Sequence, residues 1–372
     1  MGGGMNYTGQ VKRLFQFTVG FFLFGSFLNS VQAAFTNLYA FGDGVCTTTS
    51  YNPPNPSLFY GHRECNGRVW IEVLAQQQGL PYDPTKNNSF YGQYSSLLVT
   101  SLKTNTTSFG TNDLVIVWVC DADFVSDIQD IYPSVNLTTW NTAINQSLTN
   151  HFNIITNLYA KGVRALVMPN AVDLTEVPQY NQIVSTSDKS FVRGRVNYFN
   201  TNLIATLNQV TSAHPDFKIY VPDVFTLLDN VISNAAFYGL TNALYNGQPI
   251  DAYENLGNNA ATNGPGTNYI FWDQQDPTAK MHSVIADVVQ QQISPVKISQ
   301  ITAFTGSNRL DLVNVPVGQN GLVLGRTNMA LGNWTTNGSY FISSNTTQSV
   351  FVPASSPGWF YRLRFPYSWS WP

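Results

Sequence analysis

Charge is scarce in this chain: 10% of its 372 residues are Asp, Glu, Lys or Arg, and their formal balance is only −3. So weak a balance gives no basic surface for nucleic acid or anionic lipid, and neither is expected as a partner. Cysteine is rarer still. Cys46, Cys65 and Cys120 allow at most one disulfide and leave an odd thiol, which excludes a disulfide-stapled scaffold. The four histidines, His62, His151, His214 and His282, lack a second ligand at helical or turn spacing. No metal site or cofactor is therefore expected. Beyond residue 34 no apolar run is long enough to span a bilayer. What fills the chain instead is Asn, Thr and Ser, a surface wet by amides and hydroxyls that suits a protein outside the cytoplasm.

The N-terminus has the three parts of an export signal. Lys12 and Arg13 are the basic end, Leu14 to Leu28 the apolar run, and Ser30-Val31-Gln32-Ala33-Ala34 the small-residue exit, with Met5 as an alternative start. Gln16, Thr18, Gly20 and Gly25 interrupt the run, which is short for a membrane span, so removal of residues 1–34 is expected and an uncleaved anchor is the alternative. The mature chain is then expected to be secreted or to lie in the periplasm or cell envelope, with no integral membrane segment.

From there to about residue 295, strands alternate with helices. Leu38 to Phe41, Asp113 to Cys120, Val163 to Met168 and Lys218 to Val221 are mostly apolar runs, the pattern of strands buried on both faces. Between them, helices are expected near Val69–Leu74 (with Asn66 and Gly67 as the cap), Tyr94–Lys103, Leu137–Ala160, Lys189–Ala213, Val224–Asn234 and Ala279–Gln292. This alternation predicts a parallel sheet covered on both faces, with the loops at the carboxyl ends of its strands converging on one crevice. Gly44, Gly92, Cys120 to Asp123 and Asp273 to Asp276 would sit there. From about Lys297 short strands alternate with Gly, Asn, Ser and Pro turns, as in a small antiparallel β module. It ends in the aromatic stretch Phe360 to Trp371. The domain reading is an export signal over 1–34, an α/β domain over 35–295 and the β module over 296–372.

The first strand ends in Phe41-Gly42-Asp43-Gly44, a glycine-punctuated turn of the kind that exposes one reactive side chain in α/β enzymes. Here the exposed position, Gly44, has none. With Gly92 in a polar loop, Asp123 after the second buried strand and Asp273 before a Pro-Thr turn, these blocks resemble the GDSL (SGNH) esterase/lipase superfamily. Asn66-Gly67-Arg68-Val69-Trp70 and Met168-Pro169-Asn170 are similar to segments of its plant-type and related bacterial branch. The resemblance runs from about Phe35 to Ser294. It implies a flavodoxin-like three-layer α/β/α hydrolase that cleaves esters. A block-one Ser attacks the carbonyl, a Gly and an Asn help hold the oxyanion, and an Asp orients the His base three residues on.

Carried over, the nucleophile position is Gly44, the oxyanion Asn position is Ala122 with Asp121 beside it, and the His position is Asp276. Only Gly92 and Asp273 keep the functional residue types, with Asp43 and Asp123 as scaffold. Two residues are candidate stand-ins: Cys46, just past the turn, and His282, in the following helix. Cys46 is otherwise a small buried residue or a partner for Cys65, and His282 a packing residue. Loss of one member of such a triad costs on the order of four decades in rate. The expectation is an ester hydrolase by descent that is weak or inactive. The alternative is a non-catalytic protein that binds a small acyl ester or an acylated glycan. Acid–base chemistry by Asp121, Asp123, Asp273 and Asp276 is a more distant reading.

Overall fold

The computed structural model describes residues 35–372 apart from 242–243, 246–247, 329–332, 355–357 and 366–372. The expected export signal and the end of the aromatic stretch lie outside the described residues.

Four parallel strands, β1 (Asn37–Gly42), β2 (Asp113–Trp118), β3 (Ala165–Val167) and β4 (Lys218–Tyr220), form a sheet in the order β1-β2-β3-β4. Every residue of β2 is buried, which is why its sequence is a run of Leu, Val and Ile rather than an alternation. Along the outer edge of β1 the chain passes without making a strand. Asn87 forms a single parallel bridge to Ala40, and the N–H groups of Asn88 and Phe90 donate to the carbonyls of Ala40 (2.8 Å) and Gly42 (3.1 Å). That pairing fixes the loop carrying Gly92 beside the end of β1.

The helices are α1 (Trp70–Gln77), α2 (Ser95–Thr104), α3 (Cys120–Asp130), α4 (Leu137–Ala160), α5 (Pro178–Ile183), α6 (Lys189–Ala213), α7 (Val224–Ser233), α8 (Ala252–Leu256) and α9 (Ala279–Ile293). A two-residue hairpin, β5 (Leu244–Tyr245) and β6 (Gln248–Pro249), precedes α8. Helix α1 packs on α9, while α4 packs on both α2 and α6. This is the three-layer α/β/α architecture that the strand–helix alternation implies. Trp70 of α1 meets Trp118 of β2 edge to face, with ring centres 5.7 Å apart, which joins one helical layer to the sheet.

Two local expectations are corrected, and one open alternative is decided. The second strand stops at Trp118, and Cys120 to Phe124 form the first turn of α3 rather than a loop. Asp121 and Asp123 suit that place, because carboxylates near a helix N-terminus meet its positive end. Asn66 and Gly67 do not cap α1. Its N-cap is Val69, whose N–H donates to Glu72 Oε2 (3.0 Å). Asn66 instead accepts from the N–H of Ala279 (2.8 Å) at the start of α9 and donates to the Thr262 carbonyl (3.0 Å). Cys46 and Cys65 are both buried and both free, so no disulfide joins them.

Strands β7 (Lys297–Phe304), β8 (Ser307–Val313), β9 (Asn320–Arg326), β10 (Thr335–Ile342), β11 (Thr347–Pro353) and β12 (Phe360–Arg364) build the C-terminal module as two antiparallel sheets, β10-β9-β12 and β11-β8-β7. Leu310, Leu312, Val323, Val350 and Val352 are among its buried core. The module meets the α/β part at Asp287 of α9, whose Oδ1 accepts from Gln77 Nε2 (2.6 Å) and from the Gln319 side-chain amide.

Candidate active site

At the carboxyl end of the sheet lies a cavity of ≈ 130 Å³ whose walls include Gly44, Gly92, Asp121, Ala122 and Asp276. The four separated sequence blocks therefore meet in one place, as parallel strands require of their following loops. Leu227 and Leu228 of α7 and Met281 and Ile285 of α9 supply apolar wall. Tyr91, Tyr94, Trp118 and Tyr180 add aromatic surface.

Gly44 begins a single 3-10 turn, Gly44–Cys46, and is buried, not exposed as its turn suggested. The reason is Glu64. Were a side chain present at position 44, its Cβ would overlap Glu64 Oε2 and lie 3.3 Å from Asp276 Oδ1. A carboxyl group thus occupies the volume in which a nucleophile would stand, and a second carboxyl points at the same spot. The loop bearing Glu64 is held from both sides. The Tyr60 N–H donates to the Cys65 carbonyl (2.9 Å), Arg63 pairs with Glu72 at 2.6 Å, and Asn66 fastens the loop to α9.

The other expected residues fall as follows. Asp43 lines the cavity, where the nearby backbone N–H groups of Val45 and Ala122 partly offset the effect of burial on its carboxyl. Asp121 Oδ1 accepts from the Val172 N–H (3.0 Å). Asp123 faces away, accepting from the Ser95 N–H (2.9 Å) and the Ser147 hydroxyl, so it ties α3 to α2 and α4. Asp273 Oδ1 accepts from the N–H groups of Gln275 (2.9 Å) and Asp276 (2.8 Å), which shapes the turn presenting Asp276. Gly92 has φ +70°, a left-handed conformation that a side chain would strain.

Neither candidate stand-in is among the residues that line the cavity. Cys46 is fully buried, and burial followed by the charge of Asp43 pushes its thiol well above the usual range. A thiol so placed is held away from its nucleophilic thiolate. His282 is buried in α9, and burial pulls its imidazole down to about 3.

The carboxyls around position 44 titrate far from their ordinary values. Burial, then Asp273 and Asp43, pushes Glu64 up to about 8. Burial, partly offset by backbone N–H groups, takes Asp43 to about 7 and Asp273 to about 6. Asp276 is raised by burial and then by Glu64, Asp273 and Asp43, and Asp121 by burial and then by Asp43. No Lys, Arg or His is among the lining residues to offset them. The cluster therefore binds protons more tightly than ordinary carboxyls do.

Sequence reasoning missed Glu64 and the four aromatic wall residues. Glu64 lies in an aperiodic loop with no fixed spacing to the first block, so no motif points to it. The available signal was a Glu beside an apolar cysteine, Glu64-Cys65, in a chain with so few charges.

The sequence profile of the GDSL-like lipase/acylhydrolase family matches residues 38–289. A search of the curated proteins found no match. Among solved structures, the chain is similar to the lipase Lip_vut3 from a goat rumen metagenome, at 9% identity and TM-score 0.42, covering 69% of this chain and 97% of that one. It is also similar to Axe2, an acetylxylan esterase from Geobacillus stearothermophilus, at 10% identity and TM-score 0.39, covering 70% and 96%.

Proposed function

Since the chain belongs to the GDSL-like lipase/acylhydrolase family, we propose that it is a secreted member in which hydrolysis through a serine is closed and the crevice holds acyl compounds without cleaving them. One observation carries this reading: Glu64 Oε2 stands in the volume that the Cβ of a nucleophile at position 44 would fill. No hydroxyl can attack from there, and no imidazole stands at Asp276 to take its proton. Where such a unit loses both members, the rate falls by on the order of four decades or more. The apolar wall and the left-handed Gly92 support a retained acyl subsite, for a small ester or an acylated glycan.

The test uses the mature chain with p-nitrophenyl hexanoate, a serine-directed phosphonate, and methyl hexanoate as a binding probe in calorimetry. The expected result is turnover at the buffer rate, no phosphonate adduct, and measurable binding of the methyl ester. Turnover well above buffer refutes the binding-only reading, and its loss in Cys46→Ala would assign the nucleophile to that thiol. Export rests on the pattern of residues 12–34 and is tested by N-terminal sequencing of protein from the medium or envelope fraction. A start near Phe35 supports it, and an intact apolar run refutes it.

A further inference from the structure

We propose that this crevice takes a protonated organic amine on an apolar body, with the ammonium seated among Glu64, Asp276 and Asp43 beside the rings of Tyr91, Tyr94 and Tyr180. The inference rests on the reading that the crevice binds rather than cleaves, and it names the head group that is bound.

Three independent features converge on it. The first is unpartnered acceptors. Glu64 Oε2 and Asp43 Oδ1 are buried with no hydrogen-bond partner, their residues being only 4% and 8% exposed, and the buried Tyr180 hydroxyl is likewise unpartnered. Asp43 and Tyr180 line the cavity, while Glu64 is not itself a lining residue but adjoins Gly44, which is. Buried polar groups are ordinarily satisfied, so a cluster of orphaned acceptors at a cavity marks what its occupant must bring. It must bring donors. The neighbouring carboxyl oxygens Asp273 Oδ1 and Asp121 Oδ1 already accept backbone N–H groups, which leaves the free capacity at Glu64 and Asp43.

The second feature is charge. Carboxyl groups converge on position 44 from three separate chain segments, and none of the cavity's lining residues is a cation. A ligand carboxylate would add to that repulsion. A hydroxyl brings one donor and no charge, and a quaternary ammonium brings charge and no donor. A primary ammonium brings three donors and the positive charge together, and on binding it takes the place of the proton that Glu64 otherwise holds, which leaves to solvent. The third feature is aromatic. Tyr91, Tyr94 and Tyr180 line the same cavity, and ring faces attract a cation most where water is excluded. Leu227, Leu228, Met281 and Ile285 then receive the apolar body.

Calorimetry on the mature chain at pH 7.5 with octylammonium, octanol and octanoate tests the assignment. The expected order is octylammonium at least tenfold tighter than octanol, and octanoate weakest. In Glu64→Gln, which keeps the shape of the side chain, octylammonium weakens about tenfold while octanol changes less than twofold. Asp276→Asn serves as the second variant, with the same expected loss. Octanol binding within twofold of octylammonium, no binding of any probe, or an unchanged preference in both folded variants overturns the inference. Following p-nitrophenyl hexanoate in the same samples separates the two readings. Turnover removes the binding-only reading and leaves the amine preference standing, whereas equal binding of alcohol and amine without turnover does the reverse.

Discussion

Replacing Glu64 with glutamine should stabilise the protein at neutral pH and do so progressively less as the medium is acidified. Glu64 is only 4% exposed, so solvent screens it little, and burial together with Asp273 and Asp43 raises its carboxyl from 4.5 to about 8. A carboxyl that holds its proton more tightly when folded favours the fold fully below the unfolded value, and this support is lost as pH rises through the folded value. At pH 7.5 the unfolded chain gains about 4 kcal/mol from ionising this group that the folded chain does not, and at pH 4.5 almost nothing. Glutamine does not titrate. Urea unfolding of both proteins at the two pH values should therefore show the stability difference, variant minus native, moving by about 3 kcal/mol in favour of the Glu64→Gln variant at the higher pH. Any fixed cost of placing an amide there is common to both measurements and cancels. Relief of Asp276, whose carboxyl Glu64 also raises, acts in the same direction. A difference that stays within about 0.5 kcal/mol between the two pH values would refute the placement of a protonated Glu64 beside Gly44.

Gly44→Ser alone should give neither turnover nor a phosphonate adduct, because no imidazole stands at Asp276 to take the serine proton, and a shift of the flexible Glu64 carboxyl should hold the loss in chemical denaturation to about 1 kcal/mol or less. A single variant that reacts with the phosphonate would contradict that geometry. At the junction with the β module, Asp287→Ala leaves the buried side-chain amides of Gln77 and Gln319 without their shared acceptor. A loss of about 1–3 kcal/mol is expected in the same assay, and no loss would show that the junction does not contribute to stability.

The long helices were legible in the sequence to the residue: α4 runs Leu137–Ala160 and α6 Lys189–Ala213, as their apolar spacing indicates. Asn136, which accepts from the Thr139 N–H (3.1 Å), marks the start of the first. The meeting of the four blocks was legible too, because a parallel sheet sends its loops to one edge. The start of α3 was not. Two Asp residues after a buried strand look like a turn, and their alternative role as first-turn carboxylates depends on the path the chain takes after Val119. Nor was Asn66 legible, since a residue that could cap the helix next to it instead accepts the N–H of Ala279 at the start of α9, distant in sequence, whose own cap is Thr278. Glu64 follows from the same cause: the contacts that hold its loop are tertiary. Pattern finds an empty nucleophile position but not the side chain that fills it.

The substitutions at positions 44 and 276 are coupled through Glu64, and the coupling explains why neither can be reversed alone. A side chain at position 44 excludes Glu64 from its present place, because one atom beyond Cα already overlaps its carboxyl. A nucleophile at position 44 and the acid in its present place exclude each other, so the carboxyl has to swing aside before a serine can stand there. Reversing the other position fails for a different reason. An imidazole introduced by Asp276→His would stand where Glu64 and Asp273 already crowd a carboxyl. Two neighbouring acids favour its protonated form, and an imidazolium cannot accept a hydroxyl proton. Serine chemistry therefore requires the joint change Gly44→Ser, Glu64→Ala and Asp276→His, which clears the volume and leaves Asp273 alone to orient the base. Ala122 would still offer no side-chain donor to the oxyanion. A phosphonate adduct formed by that triple variant, with slow turnover of p-nitrophenyl hexanoate, is the expected outcome. An inert triple variant that folds and binds methyl hexanoate would show that Glu64 is not what separates this site from a working one.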